Sequence, residues 1–351
     1  MTEGTLKDIL AEHTKDGNLY NRLPNLWVQC VACGHRCKIP PEKDGICKIR
    51  FNRQGTLFVP HGYVSGIAID PIEKKPFFHA YPGSQTLSFG MLGCDFHCPF
   101  CQNWITSQTL RDPQALSSLQ KITAEEIVNL AVQQKTPMIT STYNEPLITT
   151  EWAVEIFQLA KKAGLVTSFV SNGNATPEVL DYLQPWIDLY KVDLKSFRQQ
   201  AYAHMGGVLQ NVLDTIISLH ERGTWIEIVT LIVPGMNDST EELTDIARFI
   251  YSVSPDIPWH VTAYYQEYKM TGEESTPIST LIRAAEIGYN EGLHFVYTGN
   301  RPGLTRNFEN TYCYSCNELL LERRGFRVVQ NKLVKGKCFK CNRTIAGRWR
   351  G

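Results

Sequence analysis

At 351 residues, with 35 basic and 35 acidic side chains and 43% apolar content, the chain can bury one large core with small additions. Its zero net charge does not demand a polyanionic partner, although a local basic patch is compatible with it. No apolar run reaches about 18 residues, so no membrane span is expected. Residues 1–17 are polar and lack a signal-peptide pattern, so a cytoplasmic location is expected.

The eleven cysteines fall into three local groups: Cys30, Cys33, Cys37 and Cys47; Cys94, Cys98 and Cys101; Cys313, Cys316, Cys338 and Cys341. Scattered structural thiols would not group this way. In a chain with no export pattern, metal ligation in a reducing compartment accounts for them better than disulfides.

Residues 1 to about 25 read as a short helix and a polar lead-in. The first cysteine group follows, around a Gly- and Pro-bearing loop. Four soft ligands there suit a closed tetrahedral zinc knuckle, with a second iron–sulfur cluster or no metal as the rival readings. His35 is expected to be solvated. Residues 51–86 hold two short strand-like runs, 56–60 and 62–69, then a turn-rich stretch from Asp70 to His79. Lys74, Lys75 and His79 are expected on a solvated loop, with the mouth of a site as the alternative. Residues 1–86 are read together as a Cys-rich, metal-binding module.

From residue 87 the pattern alternates. Strand-like apolar runs at 87–92, 138–142, 166–171, 189–194, 226–233 and 260–264 flank helix-like stretches at 124–134, 151–162, 177–183, 212–222 and 240–251. Repeated strand–helix units predict a parallel sheet with helices outside, and right-handed crossovers curl such a sheet toward a barrel. A seventh run at 294–297 extends it. Periodicity alone does not separate a barrel from a doubly wound sheet.

Polar landmarks follow the strand ends. Gly93-Cys94-Asp95-Phe96-His97-Cys98-Pro99-Phe100-Cys101 comes after the first strand, and Tyr143-Asn144-Glu145-Pro146 after the second. Ser171-Asn172-Gly173-Asn174 comes after the third, and Asp193-Leu194-Lys195 ends the fourth. Barrel chemistry gathers at that face. Three thiolates at C-x3-C-x2-C suit a four-iron cubane with one iron left open. Half of a zinc site and ordinary buried thiols are the alternatives.

The tail, residues 301–351, carries two C-x2-C pairs about twenty residues apart around a hairpin-like segment, 319–334. This is a zinc-ribbon pattern, with an electron-transfer cluster as the rival. Arg323, Arg324, Arg327, Lys332, Lys335, Lys337 and Lys340 make the tail basic. A solvated cationic face is expected, and contact with nucleic acid is the alternative.

The cysteine spacing after the first strand, with an aromatic before the last cysteine, resembles the radical S-adenosylmethionine (SAM) superfamily. The core from about 87 to 270 resembles its pyruvate formate-lyase activating branch. The longer set of motifs resembles the radical SAM component of the AmmeMemoRadiSam system: the first cysteine group, Asp70-Pro71-Ile72-Glu73-Lys74-Lys75-Pro76, Gly93 to Trp104, Tyr143-Asn144-Glu145-Pro146 and the terminal pairs.

The resemblance implies an α/β fold: a partial (β/α)6 TIM-like barrel over residues 87–300, between the N-terminal Cys-rich module and the C-terminal zinc-ribbon-like tail. It implies a [4Fe–4S] cluster on Cys94, Cys98 and Cys101, with SAM on the open iron. Glu145 or a nearby backbone carbonyl would hold the SAM ammonium, beside Asn144, with a capping role for Glu145 before the Glu151 helix as the alternative. Ser171 and Asn172 would reach its carboxylate or ribose. Asp193 and Lys195 match an Asp-x-Lys element in which the lysine approaches SAM and the aspartate holds a cation. Val170 stands where activating enzymes usually carry aspartate, which sets a structural Asp193–Lys195 ion pair against that cation site. A flavodoxin- or ferredoxin-like reductant and Memo-like and AMMECR-like partners are also implied.

The leading expectation is reductive SAM cleavage to a 5′-deoxyadenosyl radical that abstracts hydrogen from a small-molecule or nucleic-acid substrate. A glycyl-radical activase is the alternative, and a non-enzymatic zinc and iron–sulfur scaffold is the remote one.

Overall fold

The computed structural model describes residues 6–272 and 274–349. Its centre is an eight-stranded sheet: β1 Gly66–Pro71, β2 Gln85–Gly90, β3 Met138–Ser141, β4 Val166–Ser171, β5 Leu189–Asp193, β6 Trp225–Ile232, β7 Trp259–Ala263 and β8 Val296–Gly299. Neighbours in the sheet are neighbours in sequence throughout. β2 to β8 are parallel, and β1 pairs antiparallel on β2. The sheet does not close on itself, so this is an α/β partial barrel.

Strand sequences explain the placement. β3 and β7 are buried at every position and β2, β4, β5 and β6 at most, as both faces of a parallel barrel sheet require. Hydroxyls bridge three strands inside it: Thr86 to Thr140 at 2.7 Å and Thr140 to Ser168 at 2.6 Å. The crossover helices begin where local chemistry starts them. Thr123 and Glu126 form a reciprocal capping box for Ala124–Gln133. Thr176 caps Pro177–Leu183, and Ser239 caps Thr240–Val253. Each helix turns an apolar face onto the sheet, for example Trp152, Ile156, Phe157 and Ala160 of Thr150–Lys162.

Several expectations shift. The parallel strands number seven, because Val296–Gly299 joins the ladder. The sheet crosses the expected boundary at residue 86, since β1 lies in the run assigned to the N-terminal module. Helices Gln199–His204 and Ile278–Asn290 had no counterpart in the sequence reading. The N-terminal helix is seen over Leu6–Glu12, and residues 1–5 lie outside the described ones.

The C-terminal part pairs Thr311–Tyr312, Leu319–Arg324 and Arg327–Asn331 antiparallel. It packs Leu320, Leu321, Cys313 and Ile345 on Phe78, Phe295 and Tyr297 of the barrel. Residues 350 and 351 of the expected tail lie outside the described ones.

Two expected surface features are interior. His79 is buried, bonded through Nδ1 to the Ala346 carbonyl at 2.7 Å and through Nε2 to the Tyr297 hydroxyl at 2.6 Å. Arg323 is buried over the Phe78 ring at 4.3 Å and donates to the Phe78 carbonyl and the Thr311 hydroxyl. Beside His79 lies Glu227, a buried carboxylate near the start of β6 that needs donors. It accepts from the Phe78 and His79 amides and from His260 at 2.7 to 2.9 Å.

Candidate active site

The loop after β2 is set by close backbone approach. A Cβ on Gly90 would lie 2.3 Å from the Thr142 carbonyl oxygen, so only glycine lets β2 and the segment after β3 meet there. The loop is stitched across: Gly93 N donates to Thr106 O at 2.9 Å, Glu145 N to Gly93 O at 3.3 Å, and Met91 N to Asn144 Oδ1 at 3.0 Å. Its three thiols, Cys94, Cys98 and Cys101, line one cavity of about 390 Å³ over the C-terminal ends of the strands. Asn144, Glu145, Asn172, Lys191, Asp193, Lys195, Thr262 and Asn300 line it as well.

Burial pushes all three thiols up, Cys94 furthest with Asp95 and Glu145 adding to it, and Cys98 to about 12. Thiolate ligation here therefore requires a metal to displace protons. The sulfurs face a common space but do not close in as ligands of one ion. Among the described residues, the one group of three or more Cys, His, Asp or Glu ligand atoms within 4.8 Å of one another is Cys313, Cys316, Cys338 and Cys341. Three thiols around an open volume, Cys98 buried and Cys94 and Cys101 half-buried, fit a multi-iron body in which each sulfur would meet its own iron.

Glu145 ends its strand connection as an N-cap, accepting from Leu147 N at 3.0 Å. Its carboxylate also accepts from Ser171 Oγ and Asn172 N, both at 2.7 Å. Burial, then the charge of Asp95, raises it to about 8 against those donors. Ser171 is thus committed to Glu145, and the Asn172 side chain donates to Asp95 Oδ1 at 2.7 Å.

Asp193 meets two ammonium groups, Lys191 in a short ion pair and Lys195 at 3.2 Å. Burial opposes the charge on each of the three. Their mutual attraction nevertheless holds Asp193 below the usual carboxylate range and Lys195 above the usual lysine value, whereas Lys191 ends below it. Tyr202 and Asn237 fix the Lys195 backbone, accepting from its N–H at 3.1 Å and donating to its carbonyl at 2.7 Å.

Sequence reasoning missed Lys191, whose one signal was a lone lysine in the apolar strand Leu189–Asp193. It also underrated Lys75, which is 3% exposed rather than solvated. Lys75 sits 2.7 Å from Asp70 and 4.4 Å over the Tyr143 ring, and Tyr143 donates to Asp70 at 2.7 Å. Tyr143 holds φ at +70°, a strained backbone for an aromatic residue, beside the cluster loop. Lys74 and Lys75 reach the cavity, whereas His79 lies at the other end of the strands. Phe326, at the tip of the C-terminal hairpin, also lines the cavity.

The four ribbon sulfurs converge, Cys313 to Cys341 at 3.5 Å and Cys316 to Cys338 at 3.7 Å. Cys30, Cys33, Cys37 and Cys47 lie together but contain no such convergent trio.

The profile of the Radical SAM superfamily matches residues 90–250. A protein of uncharacterized function from Methanocaldococcus jannaschii is 34% identical over 335 residues, covering 94% of this chain and 98% of that one. The pyruvate formate-lyase-activating enzyme of Listeria monocytogenes is 24% identical over 208 residues, covering 54% of this chain and 80% of that one. Streptococcus suis SuiB bound to S-adenosylmethionine shares the fold with a TM-score of 0.50 at 14% identity, covering 67% of this chain and 54% of that one. The profile match covers the Cys94–Cys101 loop and β3 to β6, and with the relatives beside it the chain belongs to the radical SAM superfamily and is a radical SAM enzyme.

Proposed function

We propose that Cys94, Cys98 and Cys101 hold a [4Fe–4S] cluster, that SAM binds beside it, and that the enzyme abstracts hydrogen from a small-molecule or nucleic-acid substrate bearing an anionic group. When bound, the cluster and SAM supply an electron and a 5′-deoxyadenosyl radical. The observation that carries the reading is the meeting of the three thiols with Asn144, Asn172, Asp193 and Lys195 on one cavity.

Within it, Lys195 is held protonated toward the cluster side and serves as the residue nearest the chemistry. Glu145 and Ser171 position the loop. The backbone around Asn144 and Glu145 is then the better acceptor for the SAM ammonium than the Glu145 carboxylate, whose oxygens already have donors. Lys191 takes the place beside Asp193 that a separate cation would fill, which accounts for the missing aspartate at Val170.

The anionic substrate rests on charge. Lys74, Lys75, Lys191 and Lys195 stand against Asp70, Asp193 and Glu145, and burial raises Glu145 to about 8, toward its neutral form, which leaves a cationic excess at the cavity. Phe326 supplies an apolar wall.

The modules 1–86 and 301–351 flank this core, and the ribbon cysteines hold structural zinc, a role their 3.5 and 3.7 Å sulfur separations support. A low-potential flavodoxin or ferredoxin is the electron donor, and Memo-like and AMMECR-like proteins are partners. The similarity to pyruvate formate-lyase-activating enzymes keeps a glycyl-radical activase as the second reading.

The test is anaerobic reconstitution, reduction and assay for 5′-deoxyadenosine, repeated with phosphorylated and carboxylated compounds. The expected result is slow SAM cleavage that an anionic substrate accelerates. Iron-loaded, reduced protein that forms no 5′-deoxyadenosine would overturn it.

A further inference from the structure

The N-terminal cysteines line no part of the SAM cavity, and the reaction proposed above does not use them. Cys30 ends the strand Val28–Cys30, Cys33 and Cys37 flank the turn into Lys38–Ile39, and Cys47 returns from the next loop. Cys30 N donates to the Cys37 carbonyl at 2.9 Å, which closes the turn. Cys30, Cys33 and Cys47 are buried and Cys37 is half-buried. Cys30 lies near each of Cys33, Cys37 and Cys47, so the four form one local group. Backbone amides of His35, Ile46, Ile49 and Arg50 point at their sulfurs. Arg50 lies buried beside Cys30 and Cys47 and is held there by a two-pronged pair with Glu151 at 2.7 Å. Four largely buried thiols with amide donors and a fixed cation beside them suit an anionic metal–thiolate centre.

The spacing separates the candidate metals. One tetrahedral zinc with bonds of about 2.3 Å draws its sulfurs to about 3.8 Å from one another. The ribbon cysteines meet that condition. In the N-terminal group no three sulfurs lie within 4.8 Å of one another. Thiolates that each bind a different iron of a cubane stand farther apart. Where the cysteine pattern favoured a zinc knuckle, the folded geometry favours the larger body.

We propose that Cys30, Cys33, Cys37 and Cys47 bind a second [4Fe–4S] cluster. The site abuts the first. A Cβ on Gly93 would meet the Cys47 carbonyl oxygen at 3.4 Å. His35 Nε2 lies 3.2 Å from the carbonyl of Asp95, and the Asp95 carboxylate stands 3.7 Å from Cys94 Sγ while its charge also reaches Cys33. The proposal is independent of whether SAM is cleaved.

The test is metal and sulfide analysis of the full chain purified without oxygen, with electron paramagnetic resonance after reduction. Expected are about eight irons and about one zinc per chain, the zinc belonging to the ribbon. A variant carrying Cys94→Ala, Cys98→Ala and Cys101→Ala keeps about four irons and a reducible cluster signal. A wild-type content of about four irons and two zincs overturns the proposal, as does a folded triple variant without iron. Should that variant not fold, Cys33→Ser in the otherwise native chain decides. Loss of about four irons supports the second cluster, and loss of about one zinc with iron unchanged overturns it.

Discussion

Lys191 shows how one side chain changes the reading of its neighbours. Asp193 lies between two ammonium groups, and removing the buried one, Lys191, leaves a half-buried carboxylate only partly paired. Lys191→Met is therefore expected to lower stability by about 3 kcal/mol, as breaking a buried ion pair does. SAM cleavage in that variant should then depend on added sodium or potassium, whereas the wild type should not respond to either. Cleavage rates across a salt series at constant ionic strength check this, and an equal response of both proteins would remove Lys191 from the role. Cys94→Ala is expected to abolish 5′-deoxyadenosine formation, because the loop has no spare thiol. Product assay of iron-loaded variant protein checks it.

The segment Phe77–Ala80 and the C-terminal antiparallel sheet are joined through a buried polar knot of His79, His260, Glu227, Tyr297 and Arg323. Burial lowers His79 from 6.5 to about 4, against the pull of Glu227 and the Ala346 carbonyl, with Arg323 and His260 adding to the decrease. A histidine depressed in the folded state leaves stability intact above pH 6.5. That stability drains away as pH falls toward 4, because only the unfolded chain takes the proton there. The loss expected across that window is on the order of 3 kcal/mol, and burial of His260 acts in the same direction. Thermal melts between pH 7 and 5 check it: His79→Gln should flatten the slope, and an unchanged slope would assign the sensitivity elsewhere. The ribbon makes a separate prediction. Cys338→Ala should release zinc and loosen the C-terminal sheet while the cluster absorbance remains, since the converging sulfurs lie away from the cavity. Metal analysis beside the visible spectrum reads both.

Across the whole molecule, three cysteine groups flank or enter one open barrel, and the C-terminal hairpin reaches back over the cavity through Phe326. If the target were a protein glycine, co-expression with that protein should leave a stable glycyl radical visible by electron paramagnetic resonance. With the small anionic substrate proposed here none is expected. The alternation of strands and helices, the Cys94–Cys101 loop and the ends at Asn144, Ser171 and Asp193 were legible because strand–helix periodicity and cysteine spacing are local properties of a chain, whereas the sequential strand order of a barrel came from the family resemblance. The run at 294–297 was read as an extension of the sheet and pairs as Val296–Gly299, whereas the antiparallel pairing of Gly66–Pro71 on the core sheet was not legible, since a short edge strand carries little signal of its partner. The burial of His79, Lys75, Lys191 and Arg323 was equally hidden. His79, Lys75 and Arg323 have partners far away in sequence, as Tyr297 is for His79, Tyr143 for Lys75 and Phe78 for Arg323, whereas Lys191 pairs with Asp193 two residues on, inside a strand that reads as apolar. Sequence by itself determined which thiols belong together and that strands and helices alternate, because ligand spacing and hydrophobic period are written along one dimension. Only the tertiary structure decided how far apart those sulfurs stand and which charges share a cavity, because distances between segments are set by packing.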